Sequence, residues 1–466
     1  MNNIYDLIII GSGPGGYVAA ARAGLLGLKT AIIEKNNMLG GTCLHRGCIP
    51  TKALLHVASM YEEIQNSHKF GIITSEIKIQ WDKIQEYKSK VIKNNAIGIN
   101  HIITSRKVDI LNGFGSLINK NKILVKNKLK TNTILKTKNI ILAVGSETKK
   151  LFLNKKISCN KILTSDEILK INHIPKSLVI IGGGIIGCEF ASIFSRFGTE
   201  ITILENTSRI LPFLDIDCSK ELTQVFTRNK IKIITQSKIN DLIENKDNVN
   251  IIYEKENKIY NCNAEYVLIA TGRTPATNNL CLEKTLIKKN NNFIKIINNM
   301  QTHEKNIYAI GDCIDTPGLA HVASAEGITA VEQIAGLPFS MEINYNKVPM
   351  CLYSSPSIAW CGLNEEQIID KNNIKVSKFP FFKNGKSSIL GNTKGFIKTI
   401  TDKQDGEILG VHIIGPNATE LIAEPAFAIQ LEATIDNIAN TIHAHPSLYE
   451  SIYEVASIAI NRPLHG

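Results

Sequence analysis

The hydrophobic pattern at the start of the chain is a short apolar run followed by a glycine-rich turn. Residues 6–10 read Asp-Leu-Ile-Ile-Ile, and glycines follow at positions 11, 13 and 16. An Ala-rich stretch then leads to a second apolar run that ends at Glu34. Apolar runs of this length are typical of strands buried on both faces of a parallel sheet. The pattern therefore predicts a strand, a tight turn, a helix and a second strand.

The same pattern recurs later in the chain. Residues 177–181 read Ser-Leu-Val-Ile-Ile, glycines follow at 182, 184 and 187, and the next apolar strand ends at Glu205. Glu34 lies 23 positions after Gly11, and Glu205 lies 23 positions after Gly182. One G-x-G-x-x-G is a weak signal, because glycine turns are common. Two copies that end in an acid at equal spacing favour two dinucleotide-binding units over two unrelated turns.

Each part of this unit has a physical role. The first glycine permits the tight turn, the second lets the backbone approach a pyrophosphate, and the third allows close helix–strand packing. The helix N-terminus offers free N–H groups to the phosphates, and the closing acid accepts hydrogen bonds from ribose. Glu205 favours NAD over NADP, because its carboxylate would repel a 2′-phosphate. Two units imply two dinucleotides, between which an electron pair can pass.

Two cysteines, Cys43 and Cys48, follow the first unit. A disulfide needs Cα atoms roughly 4.4–6.8 Å apart. Positions i and i+5 of an ideal helix are about 8.7 Å apart, so a bridge requires a distorted turn. Three neighbouring glycines make such a turn accessible: Gly40, Gly41 and Gly47. We also expect a helix over residues 51–60, opened by Pro50.

Other uses of these thiols are less favoured. An iron–sulfur site of the C-x4-C-x2-C type would need a third cysteine where Thr51 stands. A zinc site would need four ligands, and only His45 and His56 are near. Two buried structural thiols remain the simplest alternative. A redox disulfide fits the pattern best and metal binding fits least, so we expect no metal site. The other eight of the ten cysteines are expected to be reduced.

Composition narrows the class further. The 466 residues are 44% hydrophobic and 20% charged, as in a globular protein of several domains. The net charge is +11, but lysine is scattered beside Asn and Ile, as in residues 120–138. We therefore expect no nucleic-acid partner. No apolar run is long enough to span a membrane, and residues 1–6 lead into a strand without a charged leader. We expect a cytoplasmic protein with no membrane partner.

The cysteine segment carries a resemblance to a known family. Residues 40–52 read Gly-Gly-Thr-Cys-Leu-His-Arg-Gly-Cys-Ile-Pro-Thr-Lys. This segment resembles that of the pyridine nucleotide–disulfide oxidoreductases, and most of all their dihydrolipoyl dehydrogenase branch. The resemblance covers essentially the whole chain. Further segments that resemble the family lie at residues 182–189, 270–275, 309–312, 319–321 and 443–450.

The resemblance implies an α/β fold with two Rossmann-like FAD/NAD(P)-binding domains and a C-terminal α+β dimerisation domain. The expected domains are FAD-binding, residues 1–146; NAD-binding, residues 147–275; a return segment of the FAD-binding domain, residues 276–346; and an interface domain, residues 347–466. In the last block, residues 345–382 and 395–415 read as antiparallel strands. Residues 417–431 and 447–460 read as helices.

The resemblance also implies the cofactor contacts, with FAD in the first unit and NAD+ in the second. The implied FAD contacts are Gly11, Gly13, Gly15, Gly16, Glu34, Gly41, Thr42, Cys43, Lys52, Gly115, Gly145, Asp312 and Ala320. The implied NAD+ contacts are Gly182, Gly184, Ile185, Ile186, Gly187, Glu205 and Gly272.

The implied catalytic residues are Cys43, Cys48, Lys52, Glu189, His445 and Glu450. Cys48 would face the flavin, and Cys43 would exchange with the substrate. Lys52 would approach the flavin ring with Glu189 as its charge partner, because a buried ammonium needs one. Glu450 would orient His445, the base. The family implies that this dyad reaches the cysteines of a second subunit, so the active form would be a homodimer.

The implied activity is oxidation of protein-bound dihydrolipoyl groups to lipoyl disulfide, with reduction of NAD+ to NADH. The implied partners are the lipoyl and subunit-binding domains of a 2-oxo acid dehydrogenase acyltransferase. Glutathione reductase remains an alternative, although it uses NADPH. Mercuric reductase would want a C-terminal cysteine pair, whereas this sequence ends Arg-Pro-Leu-His-Gly. Soluble transhydrogenases would lack the cysteine pair. The alternative outside enzymes is a non-catalytic nucleotide-binding protein.

Overall fold

The structure, a computed structural model, describes residues 4–127, 132–149, 160–338 and 342–465. The expected entry into a strand at residues 1–3 and the thiol of Cys159 lie outside the described residues. The chain divides into two units, each made of three segments. The first unit comprises Met1–Leu54, Gln80–Lys150 and Gly272–Tyr345, and the second comprises Leu55–Ile79, Leu151–Thr271 and Asn346–Gly466. Within the described ranges, no helix combines the length and apolarity needed to cross a bilayer.

The helices range from single turns to seven turns. The α-helices are α1 Pro14–Leu25, α2 Gly41–Arg46, α3 Cys48–Asn66, α4 Trp81–Ser105, α5 Ser165–Ile168, α6 Ile185–Arg196, α7 Ile216–Arg228, α8 Ala320–Ile334, α9 Gly385–Ile389, α10 Ala418–Leu421, α11 Ala423–Gln430, α12 Ile435–Ala439 and α13 Glu450–Ala459. Short 3₁₀ turns cover Ser67–Phe70, Leu282–Lys284, Gly311–Cys313, Tyr345–Lys347, Lys371–Asn373 and Phe381–Lys383.

The strands are distributed over both units. They are β1 Ile4–Ile10, β2 Thr30–Glu34, β3 Asp109–Asn112, β4 Phe114–Asn119, β5 Lys122–Lys126, β6 Asn132–Leu142, β7 Ser146–Thr148, β8 Ile162–Thr164, β9 Ser177–Ile181, β10 Glu200–Leu204, β11 Lys232–Ile234, β12 Lys238–Glu244, β13 Val249–Lys255, β14 Lys258–Ala264, β15 Tyr266–Ile269, β16 Arg273–Pro275, β17 Lys289–Asn290, β18 Phe293–Ile294, β19 Ile307–Ala309, β20 Met350–Leu352, β21 Ser357–Gly362, β22 Ile374–Pro380, β23 Phe396–Asp402 and β24 Ile408–Gly415.

The first unit is built on a sheet of order β3-β2-β1-β6-β5-β4, with β19 also paired to β6. Strands β3, β2, β1, β6 and β19 are parallel, whereas β4 and β5 form an antiparallel extension. Residues 7–9 of β1 are completely buried, as the continuous apolar run predicts. The sequence-predicted strand, turn, helix and strand are thus β1, the glycine turn, α1 and β2.

Two glycines let α1 and α8 pack closely on this sheet. A Cβ at Gly15 would lie 2.7 Å from the carbonyl oxygen of Ala323, and one at Gly327 would lie 2.6 Å from that of Gly15. Real Cβ atoms do not approach oxygen so closely, so larger residues would separate the helices. This packing holds the N-terminus of α1 at the carboxyl end of β1, where dinucleotides bind in such sheets.

The second unit contains the repeat of this arrangement and two antiparallel sheets. Strands β11-β10-β9-β15-β8 form a parallel sheet, and β12-β13-β14 form an antiparallel one. The C-terminal sheet has the order β20-β21-β24-β23-β22, with antiparallel neighbours throughout. This topology confirms the predicted architecture of two Rossmann-like units and a C-terminal antiparallel sheet.

Three predicted helices differ from the structure in their bounds. The helix predicted at residues 51–60 is longer and begins at Cys48. The one predicted at residues 417–431 is divided at Ile422, because Pro425 has no N–H to continue the hydrogen-bond ladder. The last one begins at Glu450 rather than after Pro446. Its entry is set by the Glu450 carboxylate, which accepts a hydrogen bond from the backbone N–H of Ser447.

The packing of the second nucleotide turn predicts a contrast between two of its glycines. A Cβ at Gly187 would collide with the carbonyl oxygen of Gly182, whereas one at Gly184 meets nothing within 4 Å. We expect Gly187→Ala to lower the free energy of unfolding by about 1–3 kcal/mol, as overpacking does. The matched Gly184→Ala should change it by about 0.5 kcal/mol or less. Denaturant unfolding followed by circular dichroism measures both, and equal midpoints would contradict the packing argument.

Candidate active site

The two cysteines lie at a break between two helices. Cys43 lies in α2, which ends at Arg46, and Cys48 is the first residue of α3. Gly47 between them has φ −142° and ψ −110°, outside the helical region. This interruption is the distorted turn that the cysteine spacing predicts.

Cys43 and Cys48 are both reduced in the structure, and a hydrogen bond joins their thiols. The bond to Cys48, together with burial and the charge of Cys48, raises the pKa of the Cys43 thiol well above its ordinary value. The charge of Lys52 acts in the opposite direction. The raised pKa favours the protonated form of the Cys43 thiol. The disulfide form of the pair stays a prediction.

A pocket of about 490 Å³ opens in front of Cys43. One wall comes from the first nucleotide turn and α2, through residues that include Pro14, Tyr17 and Leu44. The other wall is α4, which contributes Asn94, Asn95, Gly98, Ile99 and Ile102. Among the described residues of the lining, Cys43 supplies the only sulfur. A small molecule in this pocket would therefore meet Cys43 rather than Cys48.

The cysteine segment is held directly on the first glycine turn. The backbone N–H of Gly40 donates to the backbone oxygen of Ser12 at 3.0 Å and lies 3.2 Å from its Oγ. A Cβ at Gly41 would lie 2.6 Å from the Cα of Gly13. Both Gly40 and Gly41 have positive φ, which glycine adopts without strain. The resemblance places Gly41 at the cofactor, and the structure places it against the turn that would bind the cofactor.

The first glycine turn leaves open space where a pyrophosphate would bind. A Cβ at Gly11 would collide with the backbone of Ala143, and one at Gly16 with that of Gly11. Gly13, by contrast, has nothing within 4 Å of that position. Gly13 is also the N-cap of α1, where the chain supplies no side-chain cap for the free N–H groups. The turn is therefore shaped to accept an external anion.

The acid that ends β2 is fixed by its neighbours. Glu34 is buried, and its Oε2 accepts hydrogen bonds from the backbone N–H and the Oγ of Ser12, at 3.1 and 2.5 Å. Its Oε1 accepts from the backbone N–H and the Nδ2 of Asn36, at 2.8 and 2.7 Å. These bonds orient the carboxylate beside the first turn.

The second glycine turn repeats this geometry. A Cβ at Gly182 would lie 2.5 Å from the carbonyl oxygen of Ala270, and Gly184 faces open space. Glu205 is buried, and its Oε2 accepts from the backbone N–H of Gly183 at 2.6 Å. Its Oε1 accepts from the backbone N–H and the Oγ1 of Thr207, at 2.8 and 2.9 Å. The two units thus hold their acids in the same way.

Asp312 belongs to a polar chain in the first unit. Its Oδ2 accepts a hydrogen bond from the Oγ of Ser146 at 2.5 Å, and that Oγ accepts from Nε of Arg273 at 2.7 Å. The backbone N–H of the adjacent Gly311 donates to Oε2 of Glu326 at 2.6 Å. Burial raises the pKa of Glu326, although hydrogen bonds from its donors oppose the shift. Glu326 therefore anchors the turn that carries Asp312.

The other predicted residues occupy turns, helix starts and buried positions. Thr42 and Ala320 lie in the first turns of α2 and α8, Ile185 and Ile186 open α6, Gly115 is buried in β4, and Gly145 and Gly272 have positive φ. Lys52 lies in α3 and belongs to the first unit. Glu189 is buried in α6, belongs to the second unit, and accepts a hydrogen bond from the backbone N–H of Tyr353 at 3.2 Å. The pairing of Lys52 with Glu189 stays a prediction.

Sequence reasoning missed Ser146, Arg273 and Glu326. Glu326 had a readable signal, since it is an acid flanked in α8 by the small residues Ala325 and Gly327. Ser146 and Arg273 had none, because they meet only through the pairing of β7 with β16.

His445 and Glu450 form a hydrogen-bonded pair in the second unit. Nδ1 of His445 lies 2.8 Å from Oε1 of Glu450, and the ring is 79% exposed. Burial would raise the pKa of Glu450, but the Ser447 N–H and the His445 ring outweigh it and hold that pKa below its usual value. With Nδ1 facing the carboxylate, Nε2 is the ring atom directed to other partners.

The residues present fit a dinucleotide in each unit. Gly13 and Gly184 face open space at uncapped helix N-termini, and the oriented acids Glu34 and Glu205 lie beside these turns. A metal ion finds no such arrangement. Within the described ranges, no group of three or more His, Cys, Asp or Glu side chains is placed to hold one.

Comparison with known proteins identifies the class. Residues 5–327 match the pyridine nucleotide-disulphide oxidoreductase family, and residues 348–456 match the dimerisation domain of that family. The chain therefore belongs to the pyridine nucleotide-disulphide oxidoreductases. The resemblance drawn from the cysteine segment is confirmed, and so is the expected fold class.

Individual relatives narrow this class. The chain is 39% identical to a dihydrolipoyl dehydrogenase of Bacillus subtilis, over 99% of both chains. It is 39% identical to that of Geobacillus stearothermophilus, over 99% of this chain and 97% of the relative. It is 38% identical to that of Chlamydia trachomatis, over 100% and 99% of the two chains.

Solved structures agree on the fold. LpdA of Mycobacterium tuberculosis superposes with a TM-score of 0.90, at 23% identity over 97% of this chain and 99% of that one. The flavoprotein disulfide reductase RclA of Escherichia coli gives 0.87, at 24% identity over 97% and 100%. At these identities the likeness establishes the fold alone. Family membership confirms the expected class of enzyme, an FAD-dependent oxidoreductase that uses NAD(H), and the dimerisation domain indicates a homodimer.

The contact between the thiols predicts how the pKa of Cys43 responds to its neighbour. In Cys48→Ser a neutral hydroxyl replaces the group that most raises this pKa, so the pKa of Cys43 should fall. The measurement is the rate of iodoacetamide alkylation of the reduced protein against pH. Tryptic cleavage after Arg46 puts positions 43 and 48 on separate peptides for mass spectrometry.

We expect the inflection for Cys43 to move to lower pH in this variant. Cys281, another partly buried thiol of the first unit, serves as the internal control and should keep its profile. An inflection for Cys43 that stays in place or rises would show that Cys48 does not control its proton.

Proposed function

We propose that the protein is a dihydrolipoyl dehydrogenase. It would oxidise protein-bound dihydrolipoyl groups to lipoyl disulfide and pass the electron pair through Cys43 and Cys48 to FAD and then to NAD+. The observation that carries the proposal is the thiol pair, in which Cys43 lines the pocket and is hydrogen-bonded to Cys48. Full-length similarity to dihydrolipoyl dehydrogenases supports the choice of dithiol.

The thiol exchange starts from the oxidised pair, with Cys43 and Cys48 joined as a disulfide. His445 of the partner subunit takes the proton of one substrate thiol at Nε2, while Glu450 holds Nδ1 and stabilises the resulting charge. The substrate thiolate attacks Sγ of Cys43, the Cys43–Cys48 bond breaks, and Cys48 leaves as a thiolate.

The second substrate thiol resolves this mixed disulfide. It gives up its proton, attacks the substrate sulfur bound to Cys43, and releases Cys43, which takes a proton back. Two electrons have then moved to the cysteine pair, and the product is the cyclic lipoyl disulfide. The raised pKa of Cys43 favours this outcome, because it favours the protonated form of the released Cys43 thiol.

Two dinucleotides complete the proposed reaction. Gly11, Gly13 and Glu34 would hold FAD, and Gly182, Gly184 and Glu205 would hold NAD+. Bound FAD supplies the chemistry that carries the electron pair from the dithiol to the nicotinamide. The charge of Lys52 acts to lower the pKa of Cys43. Lys52 would also stabilise negative charge near the flavin ring.

The partners follow from the same proposal. A dihydrolipoyl group on a lysine arm can enter a narrow pocket that its carrier domain cannot, so the lipoyl domain would dock outside and present the arm to Cys43. The acyltransferase of a 2-oxo acid dehydrogenase complex would then be the protein that recruits this enzyme, through its lipoyl and subunit-binding domains. We place this reaction in the cytoplasm.

The second candidate function is reduction of glutathione disulfide with NADPH. The cysteine pair would serve it equally well. The buried carboxylate of Glu205 disfavours it, because a 2′-phosphate beside that acid would be repelled.

Paired assays on the purified flavoprotein test the proposal. We expect NADH formation from dihydrolipoamide and NAD+ to exceed NADPH oxidation by glutathione disulfide by about a hundredfold or more. Cys43→Ser and Cys48→Ser should each lose at least about a thousandfold of the dihydrolipoamide activity, because the exchange needs both sulfurs. Both variants should keep FAD and still reduce ferricyanide with NADH, a reaction that bypasses the thiols.

Each alternative has its own outcome. Faster turnover with glutathione disulfide would favour the glutathione reductase function. A colourless protein without flavin absorbance would remove the oxidoreductase altogether. Full dihydrolipoamide activity in either serine variant would disprove the disulfide relay.

The α4 wall of the pocket predicts a way to separate substrate access from the later steps. Gly98 is exposed, and a Cβ there meets nothing within 4 Å. Gly98→Leu should fold well, since glycine in a helix interior costs about 1 kcal/mol relative to residues such as Ala or Leu. Its side chain should narrow the pocket and raise the KM for dihydrolipoamide about tenfold.

The matched control is Gly98→Ala, which adds one methyl group and should leave that KM within about twofold. NADH-driven ferricyanide reduction should be unchanged in both variants. An unaltered KM in Gly98→Leu would show that the dithiol reaches Cys43 by another route.

A further inference from the structure

Lys398 lies at the centre of a buried ionic cluster in the second unit. Its side chain on β23 is completely buried, and its Nζ contacts Oδ2 of Asp215 at 2.9 Å, Oδ2 of Asp217 at 2.7 Å and Oε2 of Glu365 at 2.7 Å. Burial alone would lower the pKa of Lys398, but the three carboxylates outweigh it and raise that pKa above its usual value. A lysine is almost never fully buried unless it is paired. The cluster therefore fixes the positions of its carboxylates.

The most buried of these carboxylates starts a helix. Asp215 is completely buried and is the N-cap of α7, with Oδ1 accepting from the backbone N–H of Asp217 at 3.1 Å. The Oγ of Ser219, one turn further on, donates to the backbone oxygen of Ile210 at 2.7 Å. The start of α7 therefore anchors the loop that precedes it.

This loop packs directly on the second glycine turn. The backbone N–H of Leu211 donates to the oxygen of Gly183 at 2.9 Å. A Cβ at Gly183 would lie 2.7 Å from Cγ2 of Ile210. Gly183 is also the residue whose N–H orients Glu205. The loop between Glu205 and Asp215 thus forms one side of the nucleotide turn.

The loop conformation needs support from outside. Leu211 has φ +50°, a left-handed conformation that is unusual for a residue other than Gly, Asn or Asp. Such backbone persists where the surrounding structure determines it. Arg209 contacts Glu366 at 2.5 Å, and Nδ2 of Asn364 donates to the oxygen of Phe213 at 3.2 Å. Of the side chains that support the loop from residues 364–398, Lys398 is the one that is completely buried.

We propose that Lys398 is a positioning residue for pyridine-nucleotide binding. From a strand of the dimerisation domain it holds Asp215, and through Asp215 it holds the loop that shapes the Gly183 and Glu205 side of the nucleotide site. The inference rests on the proposed function, because it takes the second glycine turn to be the NAD+ site. Lys398 touches neither substrate nor cofactor and acts through the loop.

The chain provides a matched control for this proposal. Lys378 lies opposite Lys398 on the neighbouring strand β22 and contacts Oδ2 of Asp217 at 2.5 Å. Its side chain is 43% exposed. Among the contacts of the described residues, none joins Lys378 to Asp215. Lys378→Met and Lys398→Met remove the same side chain and the same charge, but only Lys398→Met releases Asp215.

The experiment titrates each purified flavoprotein with NADH and measures its steady-state kinetics. Lys398→Met should weaken NADH binding and raise the KM for NAD+ about tenfold, within the usual range for coupling between sites. The kcat at saturating NAD+ and the KM for dihydrolipoamide should not change. Lys378→Met should keep the affinity for NADH within about twofold. A purely structural role would lower the melting temperature without this selective effect on NAD+.

A second variant covers a failure to fold. Asp215→Asn keeps an N-cap residue of similar quality and leaves Lys398 with two carboxylates, so it should remain a folded flavoprotein. It should weaken NADH binding about fivefold. Wild-type affinity for NADH in Asp215→Asn, or in a folded Lys398→Met, would overturn the inference. Failure of the wild-type protein to bind NADH would instead contradict the proposed function.

Discussion

The close approach of two glycine backbones fixes the cysteine pair against the first nucleotide turn. Gly41 lies so near Gly13 that a Cβ on it would be 2.6 Å from the Cα of Gly13, and Gly40 donates to the backbone of Ser12. A side chain at position 41 would have no room against the first turn. The start of α2, the break at Gly47 and the start of α3 are therefore placed by backbone geometry. The proposed relay between dithiol and flavin would depend on such fixed placement, because a shift of about 1 Å can cost a hundredfold in rate.

The two nucleotide units share one arrangement of glycine turn and acid, which we call the common frame, but their neighbouring segments differ. In both, the acid after the second strand accepts hydrogen bonds from the residue after the first glycine and from the residue two positions beyond the acid. The first unit adds the cysteine segment to this frame. The second adds the loop that leads to Asp215 and Lys398. The common part explains why both turns suit a dinucleotide, and the added parts explain how two similar sites can perform successive steps.

The sequence predicted the parts of the molecule that depend on local pattern. Buried strands, glycine turns and closing acids follow one another within about 25 residues, so spacing alone identified both units. The helix predicted over residues 417–431 was wrong in its continuity, although Pro425 was the local signal for the division at Ile422. The Lys398 cluster was not predictable, because its carboxylates come from distant parts of the chain. Each of those residues alone reads as a solvated surface charge.

The candidate site shows the same division between local and long-range information. The cysteine pair and the His445–Glu450 pair were predictable because the residues of each pair are five positions apart. The pocket was not, because α4 forms one wall of it and no pattern in α4 indicates contact with α2. Glu326 lies between these cases. Its place between small residues of α8 marks it as buried, but only the fold shows that it anchors Gly311.

The pKa of Cys43 distinguishes the two thiols of the pair. Two identical side chains in contact would exchange roles freely if their surroundings were alike. Here the hydrogen bond to Cys48, together with burial and the charge of Cys48, raises the pKa of Cys43 and favours its protonated form. Cys43 lines the pocket, and in the proposed reaction it would be the sulfur that exchanges with the substrate. A protonated Cys43 would not compete with the product for this exchange. Geometry and acidity thus both favour Cys43 as the sulfur that meets the substrate in the proposed reaction.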